Sequence, residues 1–145
     1  MSKYEFTNET KKIKDVLGNF HTLHRIKALK DFGDVEKGDL GGWIEKEENL
    51  SQEGNCWVYD NAMVYSDAQV YGNALVYGNA RVYGNAQVYG NAQVLGDASV
   101  LVSTQVFGHA KVYDDAWVYG NARVSGHAGV CGNTEVCGNT VYFGD

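Results

Sequence analysis

Residues 70–93 read VYGNALVYGNARVYGNAQVYGNAQ, which is one six-residue unit repeated four times. Valine recurs at every sixth position from Val58 to Val136, fourteen times without a slip, and the fifth position of each unit is Ala or Thr. The run Ala-X-Val-Tyr alternates small or apolar residues with variable ones, which is the period of a β-strand. Gly-Asn then interrupts the strand, because these residues readily adopt positive φ. Each unit therefore predicts one short strand and one corner.

The repeat also predicts how the strands assemble. A single unit cannot bury its valine, so the units must stack on one another. A helix is excluded, because a spacing of six walks valine around a 3.6-residue turn and Gly-Asn would break the helix. Three six-residue sides close a triangular coil of eighteen residues, so residues 40–145 provide about six coils. We predict an all-β, single-stranded parallel β-helix with Val and Ala inward and Tyr outward.

The solenoid is expected to begin at residue 40, after a capping segment over residues 1–39. Leu40 lies eighteen residues before Val58 and is predicted to take the inward Val position of an irregular first coil. Further residues of this coil are predicted at the Ala position, namely Ile44, Leu50 and Cys56.

The capping segment lacks the repeat. An open solenoid end exposes apolar core and strand edges, so residues 1–39 are expected to cover the first coil. Leu23, Ile26 and Leu29 are its candidate buried residues. Their spacing favours strands without excluding a short helix.

The unit resembles that of the hexapeptide-repeat proteins, which place an aliphatic residue and a small residue at these two inward positions. The resemblance covers about 70% of the chain and implies a left-handed parallel β-helix. Tyr at the second position departs from the family's usual Gly or acid. The stretch RIKALKDFGDVEKGDLGGWIE, residues 25–45, resembles the leader of bacterial and phage members, mostly of unassigned function. Because the fold hosts acyltransferases, carbonic anhydrases and non-enzymes, the resemblance implies no single function.

Charge is unevenly distributed. Residues 1–39 hold 8 Lys and Arg against 7 Asp and Glu, whereas residues 40–145 hold 4 against 11, giving +1 and −7. An acidic array without a basic face argues against direct nucleic-acid binding and favours a basic partner protein. The N-terminus lacks an export signal and no apolar run could span a bilayer, so we expect the bacterial cytoplasm and no membrane.

Residues eighteen apart form columns on the outer surface. Aromatic columns stabilise neighbouring strands, and they also supply rigid interface residues. Trp117 beside Arg81 and Arg123 has the composition of a binding hot spot, and the alternative is that Trp117 packs on a neighbouring side chain within the chain. The candidate partner-binding residues are Tyr71, Tyr89, Phe107, Arg81, Trp117, Arg123 and Tyr119.

The last residues continue the repeat with apolar side chains. Val141, Tyr142 and Phe143 are candidates for a contact through which two chains dock by their C-terminal coils, or for part of a partner site.

Few residues in the sequence indicate a metal site or a catalytic site. His109 and His127 stack eighteen residues apart and are a weak metal candidate, but His is also a turn former, so we predict no metal. We predict no catalytic residue and no cofactor, because the array from Val58 to Val136 has no insertion, nucleophile–base pair or phosphate-binding Gly motif. The three cysteines, an odd number, are expected to be free thiols.

These observations favour a non-catalytic protein-binding solenoid. The sharper hypothesis is a phage-encoded inhibitor that occupies the basic groove of a host defence nuclease, as an anti-CRISPR protein would. The alternatives are an acyltransferase-like hexapeptide-repeat enzyme and a structural or assembly protein.

Overall fold

The computed structural model of the protein describes residues 2–145 and is a three-sided parallel β-solenoid of about six coils. Successive coils pair in parallel with an eighteen-residue register, as in Val82, Val100 and Val118. The predicted all-β solenoid is therefore confirmed, and its handedness stays a prediction. No helix among residues 2–145 is long and apolar enough to cross a bilayer.

The three sides are named here by what lies on them. The hairpin face consists of β3 (Leu40–Ile44), β5 (Met63–Val64), β8 (Arg81–Val82), β11 (Ser99–Val100), β14 (Trp117–Val118) and β17 (Glu135–Val136), extended by β1 (Tyr4–Lys14) and β2 (Phe20–Ala28). The ladder face consists of β6 (Gln69–Val70), β9 (Gln87–Val88), β12 (Gln105–Val106), β15 (Arg123–Gly126) and β18 (Val141–Gly144). The third face consists of β4 (Trp57–Val58), β7 (Leu75–Val76), β10 (Gln93–Val94), β13 (Lys111–Val112) and β16 (Gly129–Val130). A short 3-10 helix, Glu47–Asn49, lies in the first coil.

The core lies inside the prism and follows the repeat. The Val and Ala positions from Val58 to Val124 are essentially inaccessible, and Thr104 substitutes for Ala with its hydroxyl donating to the Leu101 carbonyl at 2.9 Å. Each buried aliphatic side chain stabilises the fold by about 1.5–3 kcal/mol. The predicted inward direction of Val and Ala is confirmed.

The corners depend on the third residue of each unit and not on the fourth. Gly90 has φ 66°, and a side chain there would bring Cβ to 3.0 Å from the backbone nitrogen of Gly108. The Asn residues at the fourth position keep negative φ, so in each predicted Gly-Asn corner only the glycine adopts the left-handed conformation. Val102 also adopts positive φ, 65°, which is unfavourable for a β-branched residue.

The predicted register of the first coil is wrong by two residues as far as Leu50, whereas Cys56 is buried and keeps its predicted Ala position, eighteen residues before Ala74. Ile44 pairs with Val64 and Leu50 with Val70, both twenty residues on, so these two side chains occupy the Val position. Leu40 is 53% exposed instead of inward. The eighteen-residue spacing resumes at Trp57, so the two extra residues lie between Leu50 and Trp57.

The N-terminal segment is a long β-hairpin and contains no helix within residues 2–39. Strand β1 pairs antiparallel with β2, from Tyr4 opposite Ala28 to Lys14 opposite Phe20, with an irregularity after Phe6. Strand β2 then pairs antiparallel with β3 of the first coil. Buried residues of the segment include Leu23 and Ile26, as predicted, whereas Leu29 is half-buried and Ala28 is fully buried.

The base of the hairpin packs on the first coil. The Trp57 ring lies 6.1 Å from that of Tyr4 and 5.2 Å from that of Phe32, both edge-on. Lys3 is buried, and its ammonium donates to the carbonyls of Cys56 at 2.8 Å and Gly54 at 3.3 Å. Burial lowers the pKa of Lys3, and these two carbonyls, together with the Glu53 carbonyl at 3.5 Å and the Cys56 Sγ at 3.4 Å, satisfy the buried ammonium by hydrogen bonding. The domain boundary at residue 40 stays a prediction.

Candidate binding surfaces

Two columns of stacked aromatic rings run along the outside of the solenoid. The covered ladder consists of Tyr65 and Tyr83 on the hairpin face, whose rings are parallel within 2° and 4.9 Å apart. The open ladder consists of Tyr71, Tyr89 and Phe107 on the ladder face, with ring centroids 4.9 and 5.0 Å apart and planes within 3°. The strand spacing of the solenoid sets this repeat, because successive coils lie one β-strand separation apart.

The hairpin buries the covered ladder. Tyr65 and Tyr83 are only 2% and 8% exposed, although they point away from the core. They form a second apolar cluster with residues of the hairpin and of the first four coils, namely Leu23, Trp43, Met63, Ile13 and Leu101. Burial raises the pKa of Tyr65 to about 12, because a phenolate in this apolar cluster would lose its hydration.

A histidine clasp holds the hairpin tip against this ladder. The ring nitrogens of His21 lie 3.0 Å from Oε2 of Glu45 and 2.8 Å from Oδ2 of Asp15, and the ring lies 5.0 Å from Tyr65. Burial lowers the pKa of His21, but the hydrogen bonds and charges of the two carboxylates outweigh burial and raise it overall. A doubly protonated imidazole satisfies both carboxylates at once. The other oxygen of Glu45 accepts the Ser66 backbone N–H at 2.8 Å.

Cations from the hairpin flank the same cluster. The ammonium of Lys11 lies 4.5 Å from the Trp43 ring centre, and the guanidinium of Arg25 lies 5.1 Å from it. Such cation–π contacts stabilise by about 0.5–1 kcal/mol at exposed sites. The hairpin therefore contacts the solenoid through apolar side chains at the centre and cations at the edge.

No segment within residues 2–145 covers the open ladder in this way. Its three rings are half-buried by their neighbours in the column and keep one edge toward solvent. A column of glutamines runs beside them, and the Tyr89 hydroxyl donates to Oε1 of Gln105 at 3.4 Å. At the N-terminal end of the column, Glu48 and Tyr71 line a shallow pocket of about 280 Å³ with Ser51 and Gln69.

The remaining candidate partner-binding residues lie on two different faces of the solenoid. Arg81 and Trp117 lie on the hairpin face and line one cleft of about 310 Å³, which Val16 of the hairpin tip also lines. Trp117 is 39% exposed. Arg123 begins β15 on the ladder face and follows Gln105 in its column, so it does not share the cleft of Arg81. The Tyr119 hydroxyl donates to Glu135 at 3.0 Å, and this hydrogen bond raises the pKa of Tyr119 to about 12.

The C-terminal coil presents apolar side chains to solvent. Val141, Tyr142 and Phe143 are 70%, 44% and 67% exposed. Strand β18 pairs with β15 on one side only. Docking of two chains, or of a partner, at these residues stays a prediction.

The histidine pair stacks as expected from its spacing. The rings of His109 and His127 lie 4.9 Å apart and are parallel within 8°. Among residues 2–145, no group of three or more His, Cys, Asp or Glu side chains is arranged to hold a metal ion. The cysteines are free thiols, and burial raises the pKa of the Cys56 thiol.

The residues that organise the covered ladder could not be singled out from the sequence. His21, Glu45 and Trp43 lie in segments without the repeat, and no spacing rule relates them to Tyr65. Two signals were present. His21 lies in a strand pattern between Asp15 and Leu23, and Glu45 follows an apolar strand directly, where a side chain meets the next corner.

Comparison with known proteins supports the repeat. Segments 68–84, 76–87 and 116–132 match the YdcK Beta solenoid repeat family. This chain is a β-solenoid repeat protein. It is similar to a protein of Escherichia coli (strain K12) named "Uncharacterized acetyltransferase YdcK", with 58% identity over 38 residues. The matched stretch is 26% of this chain and spans 12% of the length of that protein.

Proposed function

We propose that this chain is a non-catalytic protein-binding solenoid that contacts its partner through the open ladder. The observation that carries the proposal is the continuous stack of Tyr71, Tyr89 and Phe107, which has the same ring geometry as a ladder that already buries a β-hairpin in this chain. Aromatic residues are enriched in interfaces, and rings held on stacked strands lose little conformational freedom on binding.

The charge of the solenoid supports a basic partner. Residues 40–145 carry −7, so the surface attracts a basic protein and repels a phosphate backbone. In its sharper form, the proposal is a phage-encoded inhibitor that acts in the bacterial cytoplasm and occupies the nucleic-acid groove of a host defence nuclease, as an anti-CRISPR protein does. Residues 1–39 then serve as the cap that holds the first coil in shape.

Competition with nucleic acid tests this proposal. Purified CRISPR effector nucleases, loaded with fluorescent target DNA, would be titrated with the full chain at low and high salt. We expect displacement of DNA by at least one effector, weaker at high salt because charge steers the association. Tyr89→Ser should weaken displacement about tenfold. Tyr77→Ser, the matched control on the third face, should not.

Two results would contradict the proposal. If Tyr89→Ser and Tyr77→Ser displace DNA equally well, the open ladder is not the contact surface. If no effector releases DNA at any salt concentration, the inhibitor form is wrong.

An acetyltransferase is the second candidate, because a matching protein carries that name. The cleft between Val16 and Trp117 on the hairpin face is the first place to look for a substrate, since Arg81 offers it a cation. Calorimetric titration with acetyl-CoA decides between the two functions. The binding proposal predicts no saturable heat, whereas stoichiometric binding with transfer to an acceptor would establish the enzyme.

The exposed C-terminal side chains support a homodimer as a further part of the proposal. Docking through Val141, Tyr142 and Phe143 would bury apolar surface that now faces water. Light scattering should then give twice the chain mass, and Phe143→Ser should return it to the mass of one chain. A single-chain mass for the unaltered protein at high concentration would overturn the dimer.

A further inference from the structure

The chain contains one complete example of what an aromatic ladder of this solenoid binds. Leu23 of the hairpin is fully buried in the cluster formed with Tyr65 and Tyr83, and Ile13 packs against the same cluster. The bound element is a two-stranded β-hairpin that carries apolar side chains on the side facing the rings.

The spacing of the rings in a ladder matches the spacing of β-strands. The rings repeat every 4.9 Å, which matches the 4.7–4.9 Å separation of neighbouring β-strands. Strand β2 pairs antiparallel with β3, so the hairpin continues the sheet at this strand separation while its apolar side chains pack against Tyr65 and Tyr83. The open ladder has the same repeat and continues for a third ring, Phe107.

A carboxylate lies beside the first ring of each ladder. Next to Tyr65, Glu45 binds His21 of the hairpin. Next to Tyr71, Glu48 lines the shallow pocket at the end of the open ladder. Glu48 is exposed and forms no salt bridge within residues 2–145, so the position that a cation fills on one face is open on the other.

Charge complementarity indicates the same kind of ligand. Strands β1 and β2 with their turn, residues 4–28, carry five basic and three acidic side chains, a net charge of +2. The solenoid they pack on carries −7. The internal contact therefore joins a basic hairpin to a solenoid of net negative charge.

We infer that the open ladder binds a basic β-hairpin of the partner protein, with an apolar side chain over Tyr71 and Tyr89 and a cationic side chain against Glu48. This inference rests on the proposed function and specifies the chemistry of the partner. The hairpin of this chain supplies the probe, because it shows which side chains a ladder accepts.

A synthetic peptide of residues 4–28 tests the inference. Tyr4→Cys and Ala28→Cys, at paired positions, close it with a disulfide, because an isolated hairpin is only marginally ordered. The peptide would be titrated calorimetrically into the full chain, whose own hairpin stays in place. We expect one saturable site. Tyr89→Ser in the chain should weaken it about tenfold, and Glu48→Gln should reduce both its affinity and its salt dependence.

Three controls keep the result specific. Tyr77→Ser on the third face should bind like the unaltered chain. A peptide with Lys11→Glu, Lys12→Glu and Lys14→Glu should lose binding, because the acidic face then repels it. Tyr83→Ser reports exchange, since a peptide that replaces the internal hairpin would respond to the covered ladder.

The outcomes separate this inference from the proposed function. If the peptide does not bind, or if Tyr83→Ser changes its affinity more than Tyr89→Ser does, the hairpin ligand at the open ladder is wrong. The nuclease competition with Tyr89→Ser then still decides whether that ladder binds a protein of another shape. If peptide binding succeeds and the competition fails, the ladder binds hairpins but the nuclease is not the partner.

Discussion

The covered and open ladders share their ring geometry and differ in what surrounds them. In both, neighbouring tyrosines are parallel within 2° at 4.9 Å. Tyr65 and Tyr83 are buried beneath a hairpin, whereas Tyr71 and Tyr89 keep an edge in solvent. The eighteen-residue register places the rings side by side but does not by itself stack them, because Tyr59 and Tyr77 on the third face share this register and meet edge-on, at 79° and 6.0 Å. Coverage is a separate interaction that requires a second element of matching charge and shape.

This difference bears on the two interpretations of the tyrosine columns, as strand stabilisers or as interfaces. Cross-strand contacts between aromatic rings contribute about 0.2–1 kcal/mol per pair on either face. The rings of the covered ladder also make a contact between elements, because they bury Leu23 of the hairpin. The same column can thus stabilise the solenoid and present a binding surface.

The largest predicted effect tests whether both ladders depend on one core. Val88 lies inside the prism next to Tyr89 and is inaccessible. Val88→Asp places an unpaired charge there, which should destabilise the protein by more than about 4 kcal/mol and unfold both faces together. Circular dichroism and urea titration would measure this. Gln87→Asp, one residue away on the outside, is the control, and a folded Val88→Asp variant of ordinary stability would show that Val88 does not point inward.

The second prediction compares the ladders directly. Tyr83→Ala removes a buried ring and should cost about 3 kcal/mol. Tyr89→Ala removes a half-exposed ring with two stacking neighbours and should cost about 1 kcal/mol. Urea titration gives both free energies of unfolding. Equal losses would mean that the hairpin adds nothing to the stability of the ladder beneath it.

Most of the solenoid could be predicted from the sequence, because each coil repeats the environment of the previous one. Val and Ala recur with the register, so one unit predicts the burial of the rest. The first coil could not be placed this way. Its two extra residues lie in SQEGNC, residues 51–56, where no valine marks the register. Leu40 was therefore assigned an inward position, although it is 53% exposed and the buried residue of that strand is Ile44, which pairs with Val64.

The candidate site was predictable only in part. The sequence identified the rings of the open ladder as one column, and their use by a partner stays a prediction. It did not distinguish covered from open columns, because coverage depends on a hairpin whose tip is about fifty residues away in the chain. A periodic pattern carries no information about such a contact, which is decided by His21, Glu45 and the apolar face of β2.

The third prediction uses the corners that follow the two ladders. The residue that follows each ring of the open ladder is a glycine, such as Gly90. In the column of the covered ladder, the corner residue of the coil next to Gly84 is Val102, at φ 65°. Val102→Gly should remove about 1–2 kcal/mol of left-handed strain. Glycine loses about 0.5–1 kcal/mol more entropy on folding, so the net stabilisation should be about 0.5–1 kcal/mol.

Thermal unfolding would detect this increase in melting temperature. The reciprocal change, Gly90→Val, should destabilise the protein, because its Cβ would approach the Gly108 nitrogen to 3.0 Å. An unchanged melting temperature for both variants would show that corner strain does not differ between the two columns.

The smallest effect concerns pH and should appear on the covered ladder alone. The pKa of His21 is raised above its ordinary 6.5, so the stabilisation from its protonated form is complete below pH 6.5 and is lost as pH rises through the folded-state pKa. The hydrogen bond from His21 lowers the pKa of Asp15 below its ordinary 3.8, so its stabilisation is present above pH 3.8 and is lost as pH falls through the lowered value. The clasp should therefore hold the hairpin tip most firmly between about pH 4 and pH 6.5.

Hydrogen exchange of the hairpin amides, measured from pH 5 to pH 8 and corrected for the intrinsic rate, would follow the clasp. We expect protection of β2 to fall as pH rises, while protection of β9 beneath the open ladder stays constant. His21→Gln should abolish the pH dependence and leave the solenoid folded. If β2 and β9 lose protection in parallel, the loss is global and does not come from the clasp, and hairpin docking would then be inseparable from the stability of the coils.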